Sequence, residues 1–219
     1  ARAIGELFAA EAGKFVAVSA GDGLETLMAA HGSGALALSI RNQAPMLNVD
    51  VGGGTTKIAY CVDGEVASMT AVEAGARLVV FGDDERISRI EPTALPYLEE
   101  LALDLVIGDT IGPAERERIA GLMAEQIKLA IQGKDLGDKL RLPPLAAADP
   151  SGSLIVSGGV SEYFYGREAA TFSDLGPELG QALQSALGEV SDHVEEPLQG
   201  IRATVVGASQ YTVQVSGST

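Results

Sequence analysis

The chain has 219 residues, 46% of them hydrophobic and 5% aromatic, which is ample apolar material for one large domain or a domain with a subdomain. Its formal net charge is −15, and its 15 basic residues form no run along the sequence, which argues against nucleic acid and anionic membrane surfaces as partners. A single cysteine excludes a disulfide framework and agrees with a reducing cytoplasm, and no stretch approaches the roughly 18 apolar residues that a membrane-spanning helix needs.

In chain order, residues 1–13 read as a helix and Phe15-Val16-Ala17-Val18-Ser19 as a strand. Asp22 to His31 read as a second helix, with Asp22 as its N-cap and Leu24, Leu27 and Met28 on one face at helical spacing. A turn at Gly32-Ser33-Gly34 and a loop around Arg41 to Pro45 follow. Strands are predicted near 47–51, 57–62 and 65–70, the last two joined by Asp63-Gly64, the strongest short hairpin signal in the chain. Leu78-Val79-Val80-Phe81 is a further apolar piece, and the polar residues after it include the triplet Asp83-Asp84-Glu85, read as loop. Helices are predicted near 94–107 and 113–132. The second opens on Pro113, carries Glu115 and Glu117 in its first turns and buries Ile119, Leu122, Met123 and Ile127. A connection rich in Pro and Ala, Leu142 to Pro150, leads to the apolar strand Leu154-Ile155-Val156-Ser157. A helix from about Leu175 to Leu187 aligns Leu179, Leu183 and Leu187, and two final strands are predicted near 203–206 and 211–215.

Two glycine-tipped strands carry the chemistry. In Asn48-Val49-Asp50-Val51-Gly52-Gly53-Gly54-Thr55-Thr56, three glycines strip side chains from a turn with a carboxylate before it and two hydroxyls after it. Bare amides can close on an anion only where no Cβ intervenes, so this turn suits a phosphate, with Asp50 as a candidate holder of a hydrated divalent cation. No Gly-Lys-Ser/Thr follows and Lys57 to Val62 has strand character, so this is not a Walker loop. The second strand ends in Ser157-Gly158-Gly159-Val160 and leaves bare backbone on which a flat ring or sugar can lie. The expected ligand is a nucleotide. Cys61 reads as a buried inert thiol, His31 and His193 as surface or helix-end residues, and the acidic stretch Glu189 to Glu196 as a solvated face.

This order of strands and helices resembles one lobe of the actin-like ATPases, a mixed α/β, ribonuclease H-like fold with three leading antiparallel strands, flanking helices and a small inserted helical subdomain. Asp50 to Thr56 is similar to the second phosphate-binding motif of that superfamily, and Ser157-Gly158-Gly159-Val160 to its adenosine motif. A narrower resemblance covers nearly the whole chain. Val18 to Glu25, His31 to Ala35, the glycine hairpin, Ser157 to Tyr163, Phe172 to Pro177, Ile201 to Ala208 and the closing Ser216-Gly217-Ser218-Thr219 are similar to the EutA family of reactivating factors for ethanolamine ammonia-lyase, an adenosylcobalamin enzyme. One departure is Ala76, which stands where that family usually has the second of two glycines before the arginine.

The resemblance implies ATP or ADP with Mg2+ as cofactors and ethanolamine ammonia-lyase as partner. It implies phosphate contacts from Gly52, Gly53, Gly54, Thr55 and Thr56, a catalytic and magnesium-orienting role for Asp50, and packing of Gly158, Gly159 and Val160 on adenine and ribose. Residues 1–46 would be the tail of the first lobe with the connecting helix, and 47–219 the second lobe with its inserted helical region near 90–150. A complete clamp would be an ATPase of the cytoplasm, including bacterial microcompartments, whereas this chain alone is expected to fold, bind nucleotide weakly and not hydrolyse it. A filament-forming actin homologue and a small-molecule kinase of the same superfamily are the alternatives.

Overall fold

A computed structural model describes residues 21–146 and 153–216, without the side chains from Gln210 onward. The helix expected over 1–13 and the strand at 15–19 lie outside the described residues. The described elements are α1 (Asp22–Ser33), α2 (Ala35–Asn42), β1 (Met46–Val51), β2 (Thr56–Val62), β3 (Glu65–Val72), β4 (Val79–Phe81), β5 (Ile87–Ile90), α3 (Leu95–Glu100), α4 (Pro113–Ile131), β6 (Ser153–Ser157), α5 (Ser161–Phe164), α6 (Gly176–Gly188), β7 (Val194–Glu195) and α7 (Ala203–Ser216).

The main sheet runs β3-β2-β1-β6-β7. Its first three strands are antiparallel neighbours, and β6 and β7 add in parallel, so the fold class is the expected mixed α/β with three leading antiparallel strands. The Asp63-Gly64 signal is a true hairpin turn: both residues have positive φ, 50° and 84°. That twist matches the strands on either side.

Both faces of the sheet are covered, and the alternation of side chains sorts them. Leu47, Val49, Val51, Ile58, Leu154 and Val156 point into a large core shared with α4, α6 and the β4–β5 ribbon. Met46, Ala59, Cys61 and Ile155 point the other way, onto α1 and α2. The helix α4 forms as read, with Pro113 in its first turn and the Glu115 carboxylate accepting the Gly112 amide at 3.0 Å. Cys61 is buried, and burial pushes its thiol pKa up to about 12, in line with an inert core residue.

Four parts of the sequence reading need correction, the first being the start of α1, where Gly21 holds the N-cap position without a side-chain bond and Asp22 is the first helical residue. The two strands expected at 203–206 and 211–215 are one helix, α7. Thr204, Val205 and Val206 favour strands intrinsically, but α7 lies across α1 at a contact made of backbone: a Cβ built on Gly32 would stand 1.7 Å from the Ala203 carbonyl oxygen, and one on Gly207 1.9 Å from that of Met28. Tertiary packing overrides propensity here. The helix expected over 94–107 stops at Glu100. Ala102 adopts φ 52° and its amide returns to the Glu99 carbonyl, closing the helix, and the chain then loops to Gly108. The turn at Gly32-Ser33-Gly34 is narrower than read: Gly34 alone breaks the helix, at φ 89°, and α2 follows at once. Among the described residues no helix is long and apolar enough to cross a membrane.

The α1–α7 crossing sets a prediction. Gly207→Ala should destabilise the fold by about 2 kcal/mol or more, because the methyl has no space and two helices must separate to make it. Gly121→Ala, on α4 where an added Cβ meets nothing within 4 Å, should stabilise by roughly 0.5–1 kcal/mol. Urea unfolding midpoints at unchanged slope measure both, and equal effects of the same sign would contradict the close crossing.

Candidate functional site

The two glycine turns meet because the strands that carry them are adjacent and parallel. β1 and β6 run in register from Met46 opposite Ser153 to Asp50 opposite Ser157, so both chains leave the sheet at the same edge. Gly158 makes the junction: its φ is +85°, and a Cβ there would stand 2.4 Å from the Val51 carbonyl oxygen. The same carbonyl accepts the Val160 amide at 3.2 Å, fixing the start of α5 against the end of β1.

The hairpin turn is held from behind by the segment 74–77. The Gly52 and Gly53 carbonyls accept the Ala76 and Arg77 amides at 3.1 and 2.6 Å, and Gly75 packs so close that a Cβ would lie 2.6 Å from the Gly53 carbonyl group. Among the described residues the amides of Gly53 and Gly54 make no backbone hydrogen bond. Ala76, the departure from the family pattern, thus takes part in holding the turn through its own amide.

Between the turns lies a cavity of about 360 Å³. Gly52 and Gly53 form one wall and Gly159 and Val160 another; Arg77, Tyr163, Phe172 and Ile201 add to it, together with the carboxylates of Glu162, Glu168 and Asp174. The structure therefore brings together the phosphate and adenosine motifs singled out in the sequence. Gly159 is exposed with open space around it, which leaves its backbone accessible. The Arg77 guanidinium is fixed by Asp174, Nε to Oδ2 at 3.2 Å, and the Asp174 Oδ1 accepts the Gly176 amide at 2.9 Å at the start of α6. No spacing along the chain pairs Arg77 with Asp174, yet Phe172 to Pro177 and Ile201 to Ala208, quoted above only as family-like segments, both contribute cavity walls.

Five of the nine expected contact residues, Asp50, Gly54, Thr55, Thr56 and Gly158, do not line this cavity; Gly54 and Thr55 line a neighbouring groove with Gly53 and Arg77. Thr56 is fully buried on β2 and donates its hydroxyl proton to the Ala74 carbonyl at 2.8 Å, which ties the hairpin to the 74–77 segment rather than offering a donor to a ligand. Thr55 stays half-exposed, and its hydroxyl oxygen accepts from Lys57 Nζ at 2.8 Å, so its own proton is available. Asp50 does not line the cavity. It shares a sheet face with its cross-strand partner Lys57, and its carboxylate accepts from Ser157 Oγ at 2.7 Å and from Thr204 Oγ1, on the first turn of α7, at 3.5 Å. Burial pushes the Asp50 carboxyl above its ordinary pKa, opposed by the Ser157 hydrogen bond, the Lys57 charge and the Thr204 hydrogen bond. Among the described residues no group of three or more His, Cys, Asp or Glu could hold a metal ion. The carboxylates beside the hairpin are Asp50, bonded to Ser157 and Thr204, Glu25, paired with Lys57, and Glu73, paired with Arg141, and none of the three lines the cavity.

The profile of the family described as "Ethanolamine utilisation protein EutA" matches residues 1–219. The ethanolamine ammonia-lyase reactivase EutA of Salmonella typhimurium (strain LT2) is 34% identical over 212 residues, covering 94% of this chain and 45% of that protein. The protein of the same name from Escherichia coli (strain K12) is 32% identical over the same shares. The chain thus spans about half the length of the curated relatives it matches. A solved structure, the activator of the 2-hydroxyisocaproyl-CoA dehydratase from Clostridium difficile with bound ADPNP, aligns with a TM-score of 0.40 at 8% identity over 85% of this chain and 67% of that one, too distant to carry an argument.

The burial of Asp50 has a consequence for stability. Its raised pKa means that the folded chain binds more protons than the unfolded chain between the ordinary carboxylate value of 3.8 and the raised one. Stability falls as pH rises through that window and stays lowered above it. Asp50→Asn keeps an acceptor for the Ser157 hydrogen bond and removes the buried charge, so it should raise stability at pH 7.5. The gain should shrink as pH falls toward the ordinary carboxylate range. Denaturant melts of both proteins across that range measure it, and a variant weakened equally at every pH would contradict the assignment.

Proposed function

The chain belongs to the EutA family of ethanolamine utilisation proteins, and on that premise we propose that its cavity is the nucleotide-binding wall of an ATP-dependent reactivating factor for ethanolamine ammonia-lyase. The observation that carries this reading is the convergence of the Gly52–Gly53 and Gly159–Val160 turns on one cavity. Phosphates would lie on the Gly53 amide in the cavity and extend onto the Gly54 amide and the Thr55 hydroxyl of the adjoining groove, with the Arg77 guanidinium, which lines both, as a further donor. The sugar and base would lie on Gly158, Gly159 and Val160, with Tyr163, Phe172 and Ile201 as apolar walls. Thr56 is a positioning residue in this scheme, since its hydroxyl holds Ala74.

ATP supplies the free energy that biases a two-state clamp, and the chain's own contribution is to bind it against preorganised backbone. Residues 47–219 would be the second actin-like lobe, with α1 and α7 crossing on its far face as the route to the first. The client would be ethanolamine ammonia-lyase, the enzyme in the relatives' names, opened so that damaged cobalamin can leave. Cytoplasmic work beside that client, including inside a bacterial microcompartment, belongs to the same proposal. No step is assigned to Mg2+ or to Asp50 as a catalytic group, because the carboxylate faces Ser157 and not the cavity.

Gly159→Leu tests the site. The position is exposed and an added side chain meets no protein atom, so folding should be unchanged. ADP and ATP should both bind at least about tenfold more weakly, since the substitution fills the part of the cavity common to both. Titrations followed by NMR suit weak binding, and wild-type affinity for ADP in a folded Gly159→Leu protein would rule the cavity out as the nucleotide site.

A further inference from the structure

We propose that Glu162 is the residue by which the cavity selects its ligand. Its carboxylate takes a hydrogen-bond donor of the nucleoside, a sugar hydroxyl or the exocyclic amine of the base, and so sets both the selectivity and the direction of the bound molecule. This inference rests on the nucleotide reading of the cavity. Three carboxylates line that cavity, those of Glu162, Glu168 and Asp174. Two are engaged within the fold. Asp174 accepts from Arg77 Nε at 3.2 Å with one oxygen and from the Gly176 amide at 2.9 Å with the other. Glu168 turns back on its own loop, where Oε1 accepts the Ala169 and Ala170 amides at 2.9 and 2.7 Å. Among the described residues the Glu162 carboxylate has no hydrogen-bond or ion-pair partner. Arg167, on the same stretch of chain, pairs with Glu196 at 2.7 Å instead.

Glu162 is held on the nucleoside side of the cavity. It stands in α5, just past the Gly159–Val160 turn, and is half-buried. A Cβ built on Gly200 would lie 2.5 Å from Glu162 Oε1, so bare backbone there lets the carboxylate settle against the wall that Ile201 continues. The Gly200 carbonyl in turn accepts the Gly158 amide at 3.2 Å, which places that wall beside the second glycine turn. Arg77 lies at the opposite wall, where a Cβ built on Gly53 would stand 3.3 Å from its Cδ. The cavity is therefore polarised, with a guanidinium by the hairpin and an unpaired carboxylate by the other turn. An ionised carboxylate accepts hydrogen bonds and never donates. Phosphate oxygens are anionic acceptors, so Glu162 repels them and favours the orientation that puts them beside Arg77. The donors of a nucleotide are its sugar hydroxyls and its base amine. A site that presents a charged acceptor to one of these rejects the analogue lacking it, because the carboxylate is then covered and left unpaired.

The test is an NMR titration of wild type, Glu162→Ala and Glu162→Gln with ADP, with dideoxy-ADP, which lacks both sugar hydroxyls, and with purine riboside diphosphate, which lacks the exocyclic amine. Because the carboxylate has no partner among the described residues, the three proteins should melt alike. Wild type should bind ADP at least about tenfold more tightly than one of the two analogues. Glu162→Ala should weaken ADP to the level of that analogue while leaving the analogue itself within about twofold, and Glu162→Gln, which keeps an acceptor without the charge, should fall between. Loss of the preference over dideoxy-ADP assigns the donor to the sugar, and loss of the preference over the purine analogue assigns it to the base. ADP binding by wild type without preference over either analogue, a preference that survives in Glu162→Ala, or equal weakening of all three ligands would overturn the proposal and leave the nucleotide site standing. No binding of ADP or its analogues by wild type would sink the nucleotide reading and this one with it.

Discussion

The close approach of two chain ends at the edge of the sheet is the constraint on which the rest of the site depends. β1 and β6 are parallel neighbours, and the backbone that leaves β6 must pass directly against the Val51 carbonyl. Only a residue without Cβ, at positive φ, can do so, and Gly158 is that residue. A side chain there would push the Gly159–Val160 turn away from the Gly52–Gly53 turn and open the cavity between them. The Gly75–Gly53 contact repeats the device on the other side of the hairpin, where backbone packs on backbone and Thr56 ties the two together through Ala74. The bare amides are thus held in place by backbone contacts behind the turn, while Arg77 of the same segment sends its side chain to the cavity, and fixed donors of this kind are what preorganised anion binding requires.

The opposite face of the sheet carries a second closely packed contact, and one short segment links the two. The Gly200 carbonyl accepts the Gly158 amide at 3.2 Å, Ile201 lines the cavity, and Thr204, three residues on, reaches Asp50 from the first turn of α7. α7 then crosses α1 at the Gly32 and Gly207 contacts. Residues 200–207 therefore touch the cavity, the buried carboxylate and the helix crossing in succession. Asp50, a bare carboxylate in the sequence, is in the fold a buried group held by Ser157 and Thr204. Its burial raises its pKa and gives the fold a pH-dependent cost at the junction of these layers.

Much of this was legible in the chain itself. Glycine runs after apolar strands have few physical uses, and both turns lie where the pattern put them. Asp63-Gly64 specified its turn type, and α4 announced itself through Pro113, Glu115 and a helical stripe. What failed did so where distant contacts decide. The β-branched residues of α7 favour a strand, and only Ala203 and Gly207, four apart and facing Met28 and Gly32, hint at a tight helix crossing. The orientation of Asp50 follows from its parity with Asn48 on β1, but that says which face it takes and not that Thr204 meets it there. Arg77 and Asp174 stand 97 positions apart, and no local signal joins them.

The central claim is that one ligand spans both glycine turns. An amide shift map of the isotopically labelled chain titrated with ADP tests it most directly. The account predicts that the largest changes fall together, with one saturation curve, on Gly52, Gly53, Gly159, Val160 and Ile201, while β3 and the far end of α4 stay unmoved. Changes confined to one turn, or two turns saturating at different concentrations, would contradict a single nucleotide site.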